Sequence, residues 1–304
     1  MSANEATHLR AAQRAPSGLH AIQPARTLWG DVWQRLLANK PAVAGGVFVV
    51  LIALLALGAP LAAPHGYAAQ DYANLRRLPS AQYWLGTDDA GRDVWARIVY
   101  GARVSLLVGL AVQGVAVALG VPLGLIAGFY GGRLDGVIMR VVDTLYAFPS
   151  LLFAILLMSW LGSGLPNVVL VLSMTSWLTL CRLVRGQTLS LRGREFITAA
   201  RASGVPTGRI LWAHVLPNTF SVIVTAVTFG IPQAILAESV LSFIGIGIDP
   251  PMPSWGRMVS DNILYIRSAW HLALFPALAL GATMLAFTAL GDGLRDAFDP
   301  RLRR

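Results

Sequence analysis

The sequence predicts an all-α, polytopic membrane protein with six membrane-crossing helices. Three observations carry that expectation. Mean hydropathy is +0.60 and 13% of residues are charged, against about 25% in a soluble domain. Uncharged apolar runs recur at 41–63, 104–128, 144–181, 210–237 and 268–291. Basic residues are confined to the connections between them, and 23 of the 24 are Arg. The formal net charge of +9 therefore follows the membrane and implies no nucleic acid.

A helix rises about 1.5 Å per residue and the hydrocarbon core is about 30 Å thick, so ~20 apolar residues cross it. The run 144–181 is too long for one span, and Gly162-Ser163-Gly164-Leu165-Pro166-Asn167 breaks it. The run 210–237 begins inside a polar connection, and its span starts at Pro217. Six spans result, at about 42–63, 104–128, 145–161, 167–186, 219–243 and 271–291. Six spans place both termini on one side. That side carries 17 of the 24 basic residues, so both termini are expected in the cytoplasm.

Residues 1–26 read as a disordered cytoplasmic tail. Thr27 caps a helix at 28–39, within an interfacial unit 27–40. Its Leu28, Trp29, Val32, Trp33, Leu36 and Leu37 share a face, which suits either the inner leaflet or packing on protein. A six-span domain, 41–300, follows. Ala59-Pro60-Leu61-Ala62-Ala63 has the small residues of a signal-peptidase site, but the preceding run is long and follows some 40 polar residues, so the span is read as uncleaved. In the outer segment 64–103, Asp88, Asp89 and Asp93 lack the alternate spacing of a calcium loop. Asp93 instead suits a helix N-cap. In the second outer segment, 244–270, Gly and Pro forbid a continuous helix, and Trp255 and Trp270 suit the interfacial aromatic belt.

The most informative stretch is 194–218, REFITAARASGVPTGRILWAHVLPN. Glu195 stands in the first turn of a helix of about ten residues, where the dipole favours an acid. Ala199, Ala200, Ala202 and Ser203 make its second half small, so another protein's backbone can approach closely. Gly204 is a natural residue just past a helix end, and Pro206 prevents continuation. Thr207 is placed to cap a second short helix that Pro217 ends. Arg194, Arg201 and Arg209 hold the element at the surface.

This stretch resembles the Glu-Ala-Ala motif of membrane subunits of bacterial ATP-binding-cassette importers. Ala199, Ala200, Gly204, Leu216 and Pro217 match in register, while the motif's Glu is Thr198 and its usual Ile is His214. Glu195, one turn earlier, is placed to supply the charge. LGTDDAGRDVWARIVYGARVSL, VRGQTLSLRGREFI, LSFIGIGIDPPMPSWG and GDGLRDAFDPR are similar to the peptide and nickel branch of these importers, and SWLTLCRLVRGQTLSL is most similar to the C-type subunit of oligopeptide permeases. The resemblance implies the type I importer permease fold and a set of partners. These are a B-type permease subunit forming a heterodimer, two cytoplasmic ATPases that bind ATP and Mg, and a periplasmic peptide-binding protein. Glu195, Thr198, Ala199, Ala200, Arg201, Gly204, Leu216 and Pro217 would couple the chain to an ATPase. Asp88, Arg92, Asp93, Asp249 and Trp255 become candidates for a gating loop or for contact with the binding protein. Oligopeptides are the expected cargo, moved by alternating access, with dipeptides, nickel or glutathione-like peptides as the alternative.

A phosphate-binding loop needs G-x-x-x-x-G-K-[ST]. The one Lys, Lys40, lies in Ala38-Asn39-Lys40-Pro41, so this sequence binds no nucleotide that way and is expected to carry no cofactor or metal of its own and no catalytic residue. His65, His214 and His271 have no ligand spacing, and the single Cys181 reads as a small apolar side chain. Among intramembrane acids, Asp143 is expected to pair locally with Arg140. Glu238 either bonds a backbone group freed near Gly245 or lines the path. A proton-coupled secondary transporter would want a relay of such groups and a repeat symmetry, and only Glu238 points that way. A membrane enzyme would need a nucleophile and base, and none stands out.

Overall fold

The computed structural model describes residues 28–298, and its regular elements are helical. The tail 1–26 and the capping Thr27 lie outside the described residues. Helix α1 (Leu28–Ala38) leads directly to α2 (Lys40–Leu57) through Asn39, whose side chain accepts the Ala42 N–H at 3.2 Å. Pro41 sits in the first turn of α2, where its missing N–H costs nothing. Gly58 interrupts the helix, and a single turn, α3 (Ala59–Ala62), follows. The first span is thus shorter than the expected 42–63.

Helix α4 (Val94–Tyr130) is 37 residues long. It begins three turns before the apolar run 104–128, because Arg97 and its partners are buried there rather than solvated. The third span differs most from expectation. It is a pair, α5 (Gly132–Tyr146) and α6 (Ser150–Leu161), bent by 79° at Ala147-Phe148-Pro149. A residue before proline is pushed out of the helical region, which ends α5. Alone, the 12 residues of α6 reach only about 18 Å, too short to cross. Helix α7 (Leu165–Arg192) returns to the other end of the bundle.

Next come α8 (Glu195–Ala202), α9 (Thr207–Ile210), a π-helical stretch Leu211–Val215, and α10 (Leu216–Ile244). Gly245, in the left-handed region at φ 93°, ends α10. Helix α11 (Trp255–Asn262), a 3₁₀ turn (Ile263–Tyr265) and α12 (His271–Phe298) complete the chain. Five helical stretches are long and apolar enough to cross a membrane, and the bent pair makes a sixth.

The bundle is built around the parallel pair α4 and α7. Gly120, Gly124 and Gly128 recur every four residues on α4. A β-carbon at each would fall 2.8, 2.7 and 2.7 Å from the carbonyls of Trp177, Cys181 and Arg185. No side chain fits there, so the backbones touch, as small residues permit between membrane helices. The core beside this stripe holds Leu125, Phe129, Leu180, Val184, Ile197, Ile210, Val215 and Ile223. On the outside, Val47, Val50, Leu51 and Leu54 of α2 follow helical spacing and stay more than half exposed. Its other face, at Gly45, meets the Ala286 backbone of α12. An exposed apolar stripe backed by a packed one suits a helix between lipid and protein.

Candidate functional site

Helix α8 buries one side chain, Ile197, which joins the core between α4, α7 and α10. Arg201 adds a second hold, its guanidinium 4.6 Å from the centre of the Phe129 ring. With Ile197 turned inward, Glu195, Thr198, Ala199 and Ala202 form one exposed face at helical spacing. It ends in a pair of hydrogen bonds: Gly204 N–H donates to the Arg201 carbonyl at 3.0 Å and Val205 N–H to the Ala200 carbonyl at 3.1 Å. That pattern requires a left-handed residue, and Gly204 has φ 75° with open space around its missing β-carbon. Ala200 and Val205 both pack on the core below.

Thr198, in the place of the motif's Glu, bonds the Arg194 carbonyl at 3.3 Å. Glu195 sits at the first helical position and is exposed on the same face. On the same connection, Phe196 and Trp212 are 42% and 60% exposed. Their exposure was not readable from the apolar letters around them.

The second half of the stretch departs from expectation. Thr207 does not cap α9; Pro206 holds that position without a side-chain bond. Pro217 does not end the helix either, and 207–244 continues as one span. Pro217 lacks an N–H for its preceding turn, and the chain absorbs the loss by widening into the π stretch, where Leu216 N–H reaches the Leu211 carbonyl. Asn218 then donates its side-chain amide to the His214 carbonyl at 2.7 Å.

A cavity of about 1350 Å³ lies between α4, α5, α6, α7, α10 and α12. Its wall runs from Leu191, Asn218 and Arg295, at the end near α8, to Ala237 near the far end of α10. Most lining side chains are apolar or carry a hydroxyl or amide, and Arg295 is the one charged group among the described lining residues. Asp143 borders this region on α5. It pairs not with Arg140 but with Arg182 of α7 at 2.5 Å, and Arg182 also stacks over Tyr146. One turn lower, Arg185 grips Asp135 with two bonds of 2.5 and 2.6 Å. The bend at Pro149 sets α5 against α7, so both pairings cross between helices.

Glu238 is fully buried and outside the cavity wall. Its carboxylate accepts the Ser242 hydroxyl at 2.7 Å and the Ser239 hydroxyl at 3.4 Å. Ser242 in turn receives the Ile248 N–H at 3.2 Å. The backbone group after Gly245 is therefore bonded by Ser242 rather than by the acid itself, and Glu238 holds that hydroxyl.

At the end opposite α8, the five outer candidates separate. Asp88 is buried, accepting the N–H groups of Ala90 and Arg92 at 2.9 Å and the Arg92 guanidinium at 2.6 Å, with Arg97 at 3.4 Å. Arg97 extends to the carbonyls of Tyr67 and Pro251. Asp93 is the N-cap of α4, as expected, and also bonds His65 at 2.9 Å. Trp255 is wholly buried, donating to the Ile98 carbonyl at 3.1 Å rather than facing a membrane surface. These groups tie the two outer segments together, so Asp88, Arg92, Asp93 and Trp255 form a framework rather than an open docking face. Asp249 alone is exposed. Nearby, bonds from Asn74 and Tyr83 hold the Asp71 carboxyl below the usual carboxylate range, while burial pushes the Tyr83 phenol up.

Residues 120–304 match the family described as binding-protein-dependent transport system inner membrane component, and residues 27–79 match the N-terminal TM domain of oligopeptide transport permease C. The chain is 42% identical to the dipeptide transport system permease protein DppC of Bacillus subtilis, over 93% of this chain and 88% of that one. It is 41% identical to the oligopeptide permease protein OppC of the same organism, covering 91% of each. To the glutathione transport system permease protein GsiD of Pectobacterium atrosepticum it is 43% identical, over 91% and 93%. A chain from the MetNI methionine ABC transporter, solved in inward facing conformations, superposes with a TM-score of 0.53 at 18% identity, over 67% of this chain and 96% of that one.

Proposed function

This chain belongs to the family of binding-protein-dependent transport system inner membrane components, and from that premise we propose how it works. It is a permease subunit of a peptide-type ABC importer. In our reading it pairs with a B-type permease and takes its energy from two separate ATPases. The open face of α8 carries this reading. Glu195, Thr198, Ala199 and Ala202 present a small, mostly uncharged surface on a helix held from its other side by Ile197, Ala200 and Arg201, which suits insertion into a cleft of another protein. Ile197, Ile210 and Val215 belong to one core with α4, α7 and α10, so force on α8 reaches the spans as a rigid-body motion. ATP and Mg belong to the partner, and a periplasmic binding protein meets the end opposite α8. The positive-inside distribution supports a cytoplasmic position for α8 and both termini.

The cavity is this subunit's half of the translocation path. At about 1350 Å³ it exceeds the ~300–1,000 Å³ of pockets for drug-sized ligands, which favours oligopeptides over a bare metal ion. The relatives named for dipeptides, oligopeptides and glutathione are equally similar, at 41–43%, so cargo length needs its own test. That test is uptake by the complete importer in liposomes, with labelled peptides of two to about eight residues and nickel as comparator. Uptake of four- and five-residue peptides that needs ATP and survives a protonophore is expected. Uptake of nickel alone would overturn the peptide reading, and uptake driven by a proton gradient without ATP would overturn the importer reading.

A further inference from the structure

Gln113 lies midway along α4 and is 9% exposed, and its side-chain amide has no hydrogen-bond partner among the described residues. The amide is free to meet whatever fills the space beside it, with two donors and an acceptor to offer. The side chain forms part of the cavity wall. Room for it comes from α10: a β-carbon on Gly230 would fall 2.4 Å from the Gln113 amide oxygen. Gln233, one turn along α10 from Gly230, lines the same cavity with an exposed side chain. At this level the chain has spent a glycine to admit an amide, in a wall whose charged member, Arg295, sits at the other end.

We propose that Gln113 is a binding residue for substrate main chain: its amide pairs with the N–H and C=O of a peptide group at mid-span. A primary amide both donates and accepts, as a peptide group does, so it recognises any residue in the chain regardless of side chain. Such a contact suits a path that must pass peptides of varied sequence. The inference rests on the peptide-importer reading above and adds a specific subsite to it.

The test compares uptake of a short peptide with that of its backbone N-methylated form, which loses donors but keeps side chains. Wild type, Gln113→Met and Gly230→Ala are measured in the reconstituted importer with the same binding protein, so that protein's own preference cancels. Met keeps the length of the side chain and removes its donors and acceptor. Gly230→Ala keeps the amide but displaces it. Binding-protein-stimulated ATP hydrolysis reports assembly and coupling in each. Wild type is expected to prefer the unmethylated peptide, and both variants to lose about fivefold of that preference, the worth of roughly one hydrogen bond. An unchanged preference in both variants overturns the subsite and leaves the importer standing. Absence of any peptide uptake by wild type overturns both.

Discussion

Gly204 shows how much one residue can decide. Its φ of 75° closes α8 and turns the chain into α9, and nothing stands where its side chain would project. Gly204→Asp adds roughly 1–2 kcal/mol of backbone strain and puts a charge on the proposed docking surface. Transport is expected to vanish while the melting temperature drops only a few degrees; wild-type uptake would contradict the assignment. This position was legible because a glycine followed two residues later by proline has few other uses. Thr207 and Pro217 were misread because proline signals a break without saying whether a widened turn can absorb it. Glu238 and the outer acids were ambiguous for another reason: a carboxylate's role depends on partners, and Arg97 reaches Asp88, and Ser242 receives the Ile248 N–H, only once the chain has folded. Asp71 yields a pH dependence. Its folded carboxyl is held below its usual range, so its contribution is present above about pH 4 and is lost as pH falls through the lower folded value. Hydrogen exchange over residues 66–93 should accelerate below that point, and in Asp71→Asn the acid-induced step should shrink. An equal step in the variant would assign it to other groups.

Among elements, α4 and α7 define the framework through contacts that a single helix cannot advertise. The four-residue spacing of Gly120, Gly124 and Gly128 is visible in the letters, but only the partner backbone shows that it is a seam. Gly114 on the same helix faces open space. Gly124→Ala places a methyl 2.7 Å from the Cys181 carbonyl and should destabilise by about 1–3 kcal/mol. Gly114→Ala should be neutral or stabilising by up to about 1 kcal/mol. Thermal unfolding in detergent separates them, and equal midpoints would mean the helices do not touch there. Spans were readable wherever an uncharged run approached twenty residues. The start of α4 was hidden by Arg97 and Arg103, whose charges mimic a surface loop, although Arg97 is buried against Asp88. The kink between α5 and α6 was hidden because apolar letters continue across Phe148-Pro149.

For the molecule as a whole, the two ends carry different chemistry. One end is a network of buried ion pairs and hydrogen bonds that locks the outer segments to α4 and α11. The other presents α8, with most of its side chains exposed and one wholly buried in the core. Between them the cavity offers hydroxyls and amides. That division fits a chain gripped at one end by a motor and loaded at the other. The most direct test places a photo-crosslinker on Ala199→Cys, whose β-carbon lies on the open face while Cys181 is buried. In the assembled importer, light should join this position to an ATPase subunit, with a yield that changes when ATP is added. The same probe at Asp249→Cys, on the opposite end, should not reach the ATPase. Crosslinking to the ATPase from position 249 and none from 199 would contradict the coupling role of α8.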